Sequence, residues 1–299
     1  MDREIIVEAP AKVNLTLDIL GKRPDGYHEL ETVMHQITLT DRVHLFSNQH
    51  GIILDTNSSD IPRDQNNLAY RAAELAMGKY GRGEGISIFI EKNIPVGAGL
   101  AGGSTDAAAV LLGLDHLMDW HLSRESLLEM GAALGSDVPF CMLGMPLQKK
   151  ADNCFAVAGA TALAQGRGEI MSPLPKQIIR HIVLVKPPFQ MSTAEVYRAF
   201  RLEGVLEHPD TGVFLETWAG GDNSDIARRM VNVLETVSVA QKPEIGQLKQ
   251  RLVQLGAVQA LMSGSGPSVF GIFETEDSAQ AAVSALKKDY REVFLVSSY

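Results

Sequence analysis

Pro95-Val96-Gly97-Ala98-Gly99-Leu100-Ala101-Gly102-Gly103-Ser104-Thr105-Asp106-Ala107-Ala108-Ala109 is the stretch on which the reading of this 299-residue chain turns. Before it, Ile86–Glu91 (Ile-Ser-Ile-Phe-Ile-Glu) reads as a strand, and the Ala-rich run after it predicts a long helix starting at Ser104 or Thr105. Four glycines between strand and helix let backbone N–H groups approach an anion without side-chain obstruction. The helix N-terminus adds the positive end of its dipole. The literal pattern is GxGxxG, yet three common readings of such loops fail. A dinucleotide-binding loop needs a second strand ending in an acidic residue ~20 positions on. Here the segment after Met118 (Asp-Trp-His-Leu-Ser-Arg-Glu-Ser-Leu-Leu) caps and starts another helix instead. A Walker A loop needs Gly-Lys-Ser/Thr, and Gly103-Ser104-Thr105 has no lysine. A protein-kinase glycine loop joins two strands, whereas a helix follows here.

Working outward, Val13, Leu15, Leu17 and Ile19 alternate with Lys12, Asn14, Thr16 and Asp18, so Ile5–Leu20 predicts a strand with one apolar and one polar face. Pro24-Asp25-Gly26 is a turn, and Thr32–Thr40, Arg42–Phe46 and Gly51–Asp55 have strand character. Asn66 or Asn67 caps a helix to about Tyr80, stopped by Gly81, and Ser123 caps one to Leu134, stopped by Gly135. Further on come a strand at Ile182–Lys186 and a helix at Ser192–Phe200. Residues 203–222 read as loop and two helical stretches follow. Strands at Gln259–Met262 and Ser268–Phe273, a helix at Ser278–Lys287 and a strand at Val293–Val296 complete the chain. The second half reduces to β-α-β-β-α-β, the split βαβ or ferredoxin-like pattern. A boundary near residue 165 gives domains 1–165 and 166–299.

The composition, 45% apolar and 21% charged, is that of an ordinary globular protein, and the length suits two domains. Apolar runs fall short of the ~18 residues of a membrane helix, and Met1-Asp-Arg-Glu4 does not read as a signal peptide. Cys141 and Cys154 are too few for a disulfide framework and read as buried small residues, so a cytoplasmic location is expected. The net charge of −9 argues against a nucleic-acid or anionic-membrane partner, though not against a small anionic ligand held by a local basic cluster. No His, Cys or Asp cluster has metal-ligand spacing.

Several residues carry chemistry if they meet in space. Lys12 and Asn14 share one strand face, although a strand lysine is as readily just solvated. Asp137, in Gly135-Ser-Asp-Val-Pro139, either caps the short helix beginning at Val138 or serves a reaction. Tyr27-His28, an aromatic beside an imidazole after a tight turn, could stack on a base. Ser263-Gly-Ser-Gly-Pro-Ser268 is either a hairpin turn or the opposing wall of a phosphate pocket.

Three segments then resemble, in order, the three motifs of the GHMP kinases: Ala9-Pro-Ala-Lys-Val-Asn-Leu15, Pro95–Ala109 and Ser263–Ser268. Lys22-Arg-Pro-Asp-Gly-Tyr-His-Glu-Leu30, Gly135-Ser-Asp-Val-Pro-Phe-Cys141 and Thr161-Ala-Leu-Ala-Gln-Gly-Arg-Gly-Glu169 resemble the branch that phosphorylates the 2-hydroxyl of a cytidine-diphosphate-linked substrate, CDP-methylerythritol, in non-mevalonate isoprenoid synthesis. The resemblance spans essentially the whole chain. It implies an α+β fold with two domains, an N-terminal ribosomal protein S5 domain 2-like domain and a C-terminal ferredoxin-like domain. It also implies ATP as co-substrate with Mg²⁺, the latter reached by Ser104 or Thr105, and a monomer or weak homodimer. By residue, it implies Asp137 as general base with Lys12 beside it, and Asn14 orienting the substrate. Tyr27, His28, Thr193 and Tyr197 receive the cytosine end. Pro95, Val96, Gly97, Ala98, Gly99, Leu100, Ala101, Gly102, Gly103, Ser104 and Thr105 wrap the ATP phosphates, with Asn67 and Lys92 nearer the nucleoside.

One segment departs from the family. Met145–Ala158 intervenes between the helix around Phe140 and the strand at Thr161, either as a surface excursion or as a cover or contact carrying Lys149-Lys150. Two rival readings remain on the same residues. One is a GHMP kinase for another alcohol, such as mevalonate or homoserine, against which Tyr27-His28 speaks. The other is a non-catalytic ATP-binding regulator, against which the presence of both Lys12 and Asp137 speaks.

Overall fold

A computed structural model of the protein describes residues 4–49, 51–144, 148–149, 154–156 and 158–299. The chain divides into two compact units that interleave along the sequence, whereas the division at residue 165 is continuous. One unit is Met1–Ala11, Leu39–Val96 and Ala101–Ala160; the other is Lys12–Thr38, Gly97–Leu100 and Thr161–Tyr299. Two long strands, β1 (Glu4–Lys22) and β2 (His28–Asn48), supply residues to both.

In the first unit β3 (Ile52–Thr56) runs parallel to β4 (Gly85–Glu91), and β4 pairs antiparallel with Arg42–Asn48 of β2. The strand order is β3-β4-β2-β1-β6-β5, with β5 (Gln148–Lys149) and β6 (Cys154–Ala156) at one edge. Helices α1 (Leu68–Tyr80), α2 (Gly102–Leu117), α3 (Arg124–Leu134) and α4 (Val138–Leu143) belong to the same unit. The caps are those the sequence predicts. Asn67 Oδ1 accepts from the Ala69 amide at 2.9 Å, Ser123 Oγ from Ser126 at 3.1 Å, and Gly81 and Gly135 close α1 and α3. Cys141 is fully buried.

Three expectations are corrected here. The two predicted strands Thr32–Thr40 and Arg42–Phe46 form one strand, β2, running straight through Asp41. The long helix begins at Gly102, earlier than Ser104, after a left-handed Ala101 (φ 56°, ψ 28°). The added segment after Gly144 is not a plain excursion. β6 pairs parallel with β1 (Ile6↔Cys154, Val7↔Phe155) and antiparallel with β5, and Phe155 is buried with its ring 4.4 Å from that of His116. Lys150 of the Lys149-Lys150 pair lies outside the described residues.

In the second unit, Leu30–His35 of β2 pairs antiparallel with β7 (Thr161–Gly166), β7 pairs with β8 (Ile170–Pro173), and β10 (Val231–Asn232) lies parallel to β1 at Thr16–Leu17. A separate antiparallel sheet has the order β11 (Gln259–Met262), β12 (Val269–Ile272), β9 (Ile182–Lys186), β13 (Glu292–Val296). That order, with α10 (Glu276–Leu286) between β12 and β13, is the split βαβ arrangement read from the sequence. Helices α5 (Thr193–Ala199), α7 (Asn223–Arg228), α8 (Glu235–Gln241) and α9 (Pro243–Gln254) complete it. A further helix, α6 (Thr211–Gly220), corrects the loop expected over 203–222. Asp210 caps it at Val213, and Phe214 and Trp218, one helical turn apart, are its buried residues. Its glycines and threonines have low helix propensity, so burial of those two rings sets the conformation.

Trp218 also covers His35, whose ring it meets edge-on at 5.5 Å. His35 Nδ1 lies 2.7 Å from Thr161 Oγ1, and its Nε2 is buried without a partner. Burial pushes the His35 pKa down to about 4, from 6.5. The unfolded chain therefore binds more protons between those values, and stability falls as pH drops from about 6.5 to 4. The span of about 2.5 units corresponds to about 3 kcal/mol. His35→Gln should remove most of this acid sensitivity in urea titrations at pH 7, 5.5 and 4.5; an unchanged acid slope would show that His35 does not carry it.

Candidate active site

The polar face of β1 is buried, not solvated. Lys12, Asn14, Thr16 and Asp18 are each 5% exposed or less. The solvated-lysine reading of Lys12 therefore fails. Buried polar groups need partners, and here they form a chain. Lys12 Nζ donates to Asn14 Oδ1 (2.7 Å), Asn14 Nδ2 donates to Thr32 Oγ1 (2.8 Å), and Thr32 Oγ1 donates to the Thr16 carbonyl (2.5 Å). These bonds fix which way the Asn14 amide faces. Thr32 is a part of the site that sequence reading missed, because its role arises only where β2 lies beside β1.

The two glycine-rich turns close on this ammonium. The Lys12 amide donates to the Leu100 carbonyl at 3.1 Å. Ser263 Oγ donates to the Gly99 carbonyl (2.9 Å), and the Ser268 amide to that of Ala98 (3.3 Å). Gly97 and Gly99 have φ of 63° and 76°, values that disfavour a side chain. At Gly99 a Cβ would also collide with the Ser263 carbonyl oxygen, so only glycine lets the turns touch. Gly264 brings the second turn to the lysine: a Cβ there would sit 3.4 Å from Asn14 Oδ1 and 3.6 Å from Lys12 Nζ. Asn232, another residue the sequence did not mark, pins this turn by donating from Nδ2 to the Met262 and Gly264 carbonyls, both at 2.8 Å. Residues 263–268 are thus a wall against the first glycine loop. Two glycine-rich turns and one buried ammonium are thus brought together, a combination that suits a multiply charged anion.

Beside the same strands lies an aromatic group. His28 and Tyr197 have ring centroids 5.6 Å apart, and Phe200 meets His28 edge-on at 6.3 Å. Tyr27 is 55% exposed with the Arg167 guanidinium 5.1 Å from its ring centroid. The His28 pKa is lowered, mainly by burial and then by Lys22, so the ring favours its neutral form, able to donate and accept. Thr193 Oγ1 is 2.9 Å from Ser265 Oγ, tying the start of α5 to the second glycine turn.

The remaining expected residues belong to the first unit. Asp137 is the residue before α4; its side chain makes no capping bond to that helix, and its carbonyl accepts the Cys141 amide at 3.0 Å as the helix's first backbone bond. Asp137 thus stands at the N-cap position read from the sequence, without a side-chain bond to the helix. Asn67 is 7% exposed and occupied as the α1 cap, with Nδ2 donating to the Pro62 carbonyl at 2.8 Å. Lys92 is buried in an ion pair with both Asp41 and Asp106. Burial works against its charge, but the carboxylates of Asp106 and Asp41 outweigh it and hold its pKa above the ordinary value. Asp106 is pushed well above the carboxylate range by its own burial, against the pull of Lys92. Of the two hydroxyls proposed for a metal, Thr105 is fully buried with its Oγ1 unpartnered, while Ser104 is half-buried. No group of three or more His, Cys, Asp or Glu among the described residues could hold a metal ion. No helix among them is long and apolar enough to cross a membrane.

Comparison with known proteins accounts for this arrangement. Residues 67–145 match the GHMP kinases N terminal domain and residues 215–292 the GHMP kinases C terminal domain. Across 299 residues the chain is 56% identical to the 4-diphosphocytidyl-2-C-methyl-D-erythritol kinase of Syntrophomonas wolfei subsp. wolfei, covering 100% of both. It is 42% identical to the protein of the same name from Alkaliphilus oremlandii, covering 99% of this chain and 97% of the relative. A crystal structure of 4-(cytidine 5'-diphospho)-2C-methyl-D-erythritol kinase superposes with a TM-score of 0.80 at 35% identity, covering 100% of each chain. With both domains matched in order and a relative more than half identical end to end, the chain belongs to the GHMP kinase family.

Proposed function

We propose that this chain transfers the γ-phosphoryl group of ATP to the 2-hydroxyl of 4-diphosphocytidyl-2-C-methyl-D-erythritol, in the cytoplasm, as a step of non-mevalonate isoprenoid synthesis. The observation that carries the phosphoryl-transfer half is the buried Lys12 ammonium, fixed by Asn14 and walled by two glycine-rich turns. The acceptor rests on the full-length relatives of that name and on the aromatic group of Tyr27, His28 and Tyr197.

Phosphoryl transfer demands positioning and charge neutralisation more than covalent chemistry. In this reading the amides of Gly97–Leu100 and of the first turn of α2 hold the triphosphate. Lys12 neutralises charge growing on the transferred group, where a low-dielectric setting makes its ammonium count for more than it would in water. The substrate hydroxyl oxygen attacks the γ-phosphorus, its proton passes to the Asp137 carboxylate, and ADP leaves. Asn14, with its amide direction fixed, orients the substrate. Cytosine stacks at Tyr27 and Tyr197, with His28 and Thr193 supplying hydrogen bonds. Mg²⁺ would enter with the phosphates of ATP, the usual arrangement in kinase sites. The Ser104 hydroxyl, half-buried where that of Thr105 is fully buried, would be the side chain to hold it, and the ion would supply charge neutralisation to the phosphates.

Asp137→Ala should lower kcat at least ~10²-fold, the usual worth of a general base, in a steady-state assay of ADP release. Turnover within about threefold of wild type would remove Asp137 from that role. Lys12→Ala should depress kcat as strongly as kcat/KM, because its contact strengthens in the transition state. A change in KM alone would make Lys12 a binding residue only.

A further inference from the structure

The glycine-rich loop has two ends, and one ammonium holds both. Where the chain leaves β4, Asp41 of β2 meets it. Register pairs Arg42 with Glu91, so Asp41 faces the next residues as they turn toward the loop. Its Oδ1 accepts the amides of Asn93 (2.6 Å) and Ile94 (2.8 Å), and its Oδ2 bonds the Lys92 ammonium. At the far end of the loop, Asp106 of α2 accepts from the same ammonium at 3.0 Å. Lys92 Nζ lies directly under the first turn of that helix: a Cβ on Gly102 would stand 2.8 Å from it. All three charged side chains are nearly sealed from water, at 5% exposure or less.

We propose that Asp41, Lys92 and Asp106 form a clamp that sets the span of the glycine-rich loop, making the three of them positioning residues for the nucleotide phosphates. This deepens, and rests on, the reading of that loop as the ATP site. In the clamp Lys92 acts through Asp41, which holds the Asn93 and Ile94 amides, and through Asp106 on α2, and does not touch the nucleoside. Two carboxylates and one ammonium are a costly set to bury for stability alone, since an apolar trio would serve the core as well. Their placement at the two anchor points of the loop gives that cost a purpose. The residues between the anchors are thereby prevented from drifting apart, and amides spaced for an anion lose less entropy on binding it.

The test uses the full chain and a non-hydrolysable ATP analogue titrated by calorimetry. Asp106→Asn is the primary variant, because it leaves Lys92 and Asp41 as a balanced pair and should fold. Lys92→Met and the double variant Lys92→Met/Asp106→Asn complete a cycle; the double removes one of the two carboxylates that Lys92→Met would leave uncompensated. Each single change should weaken the analogue at least ~5-fold, while the double is no worse than the weaker single within about twofold, as expected for two ends of one device. Adenine and guanine analogues should lose affinity equally, and KM for the alcohol substrate should stay within about twofold. Unchanged nucleotide affinity at lowered Tm would reduce the trio to a structural element and overturn the proposal. Multiplicative effects in the double, or a loss confined to the adenine analogue, would overturn it as well. Because analogue binding is read without turnover, a wild-type protein that binds nucleotide but does not phosphorylate the cytidyl substrate would sink the proposed acceptor and leave the clamp intact.

Discussion

A hydrogen atom at Gly99 in place of a side chain is the constraint on which the site depends. With a Cβ there, the Ser263 carbonyl could not approach, and the bonds from Ser263 Oγ to Gly99 and from the Ser268 amide to Ala98 would be lost. Those contacts bring the second glycine turn to Lys12 and Asn14, and the Lys12 amide ties the strand to Leu100. One missing methyl thus lets three segments far apart in sequence, near residues 12, 99 and 264, share a few ångströms. Asn232 and Ser238 hold the second turn from behind, through the carbonyls of Met262, Gly264 and Ser265.

The same geometry reconciles an acidic protein with anionic ligands. At a net charge of −9 the chain would repel a polyanion at long range, yet charge is screened beyond about 8 Å at physiological salt. In the proposed reading, what binds a triphosphate is therefore local and short-range, not the charge of the whole chain. Lys12 donates to the amide oxygen of Asn14. Lys92 is spent on Asp41 and Asp106. Two lysines that look alike in the sequence therefore do different work, and their immediate partners set the difference.

Much of this was legible in the residues. Alternation revealed β1 and put Lys12 and Asn14 on one face; Asn67, Ser123 and the closing glycines marked helix ends; and the C-terminal element order gave the ferredoxin-like sheet. What escaped was what depends on distant partners. Asp41 looked like a break between two strands because aspartate is depleted from strands. Its carboxylate is satisfied by residues more than fifty positions away, so the strand continues. α6 was hidden because its local propensities are poor and two aromatic residues packed in the core decide its conformation. β6 was hidden because its pairing partner is the first strand of the chain. Thr32 and Asn232 gave no local signal at all, since their roles are hydrogen bonds across strands that only the fold brings together.

The central claim is that a cradle for ATP phosphates serves a cytidyl-linked alcohol. Its most direct measurement is ATP-dependent product formation by the purified chain, followed by phosphorus NMR, with 4-diphosphocytidyl-2-C-methyl-D-erythritol, mevalonate and homoserine offered separately. The account predicts one ADP and one new phosphomonoester per turnover with the cytidyl compound, and neither with the other two. Phosphorylation of mevalonate or homoserine without phosphorylation of the cytidyl compound would contradict it.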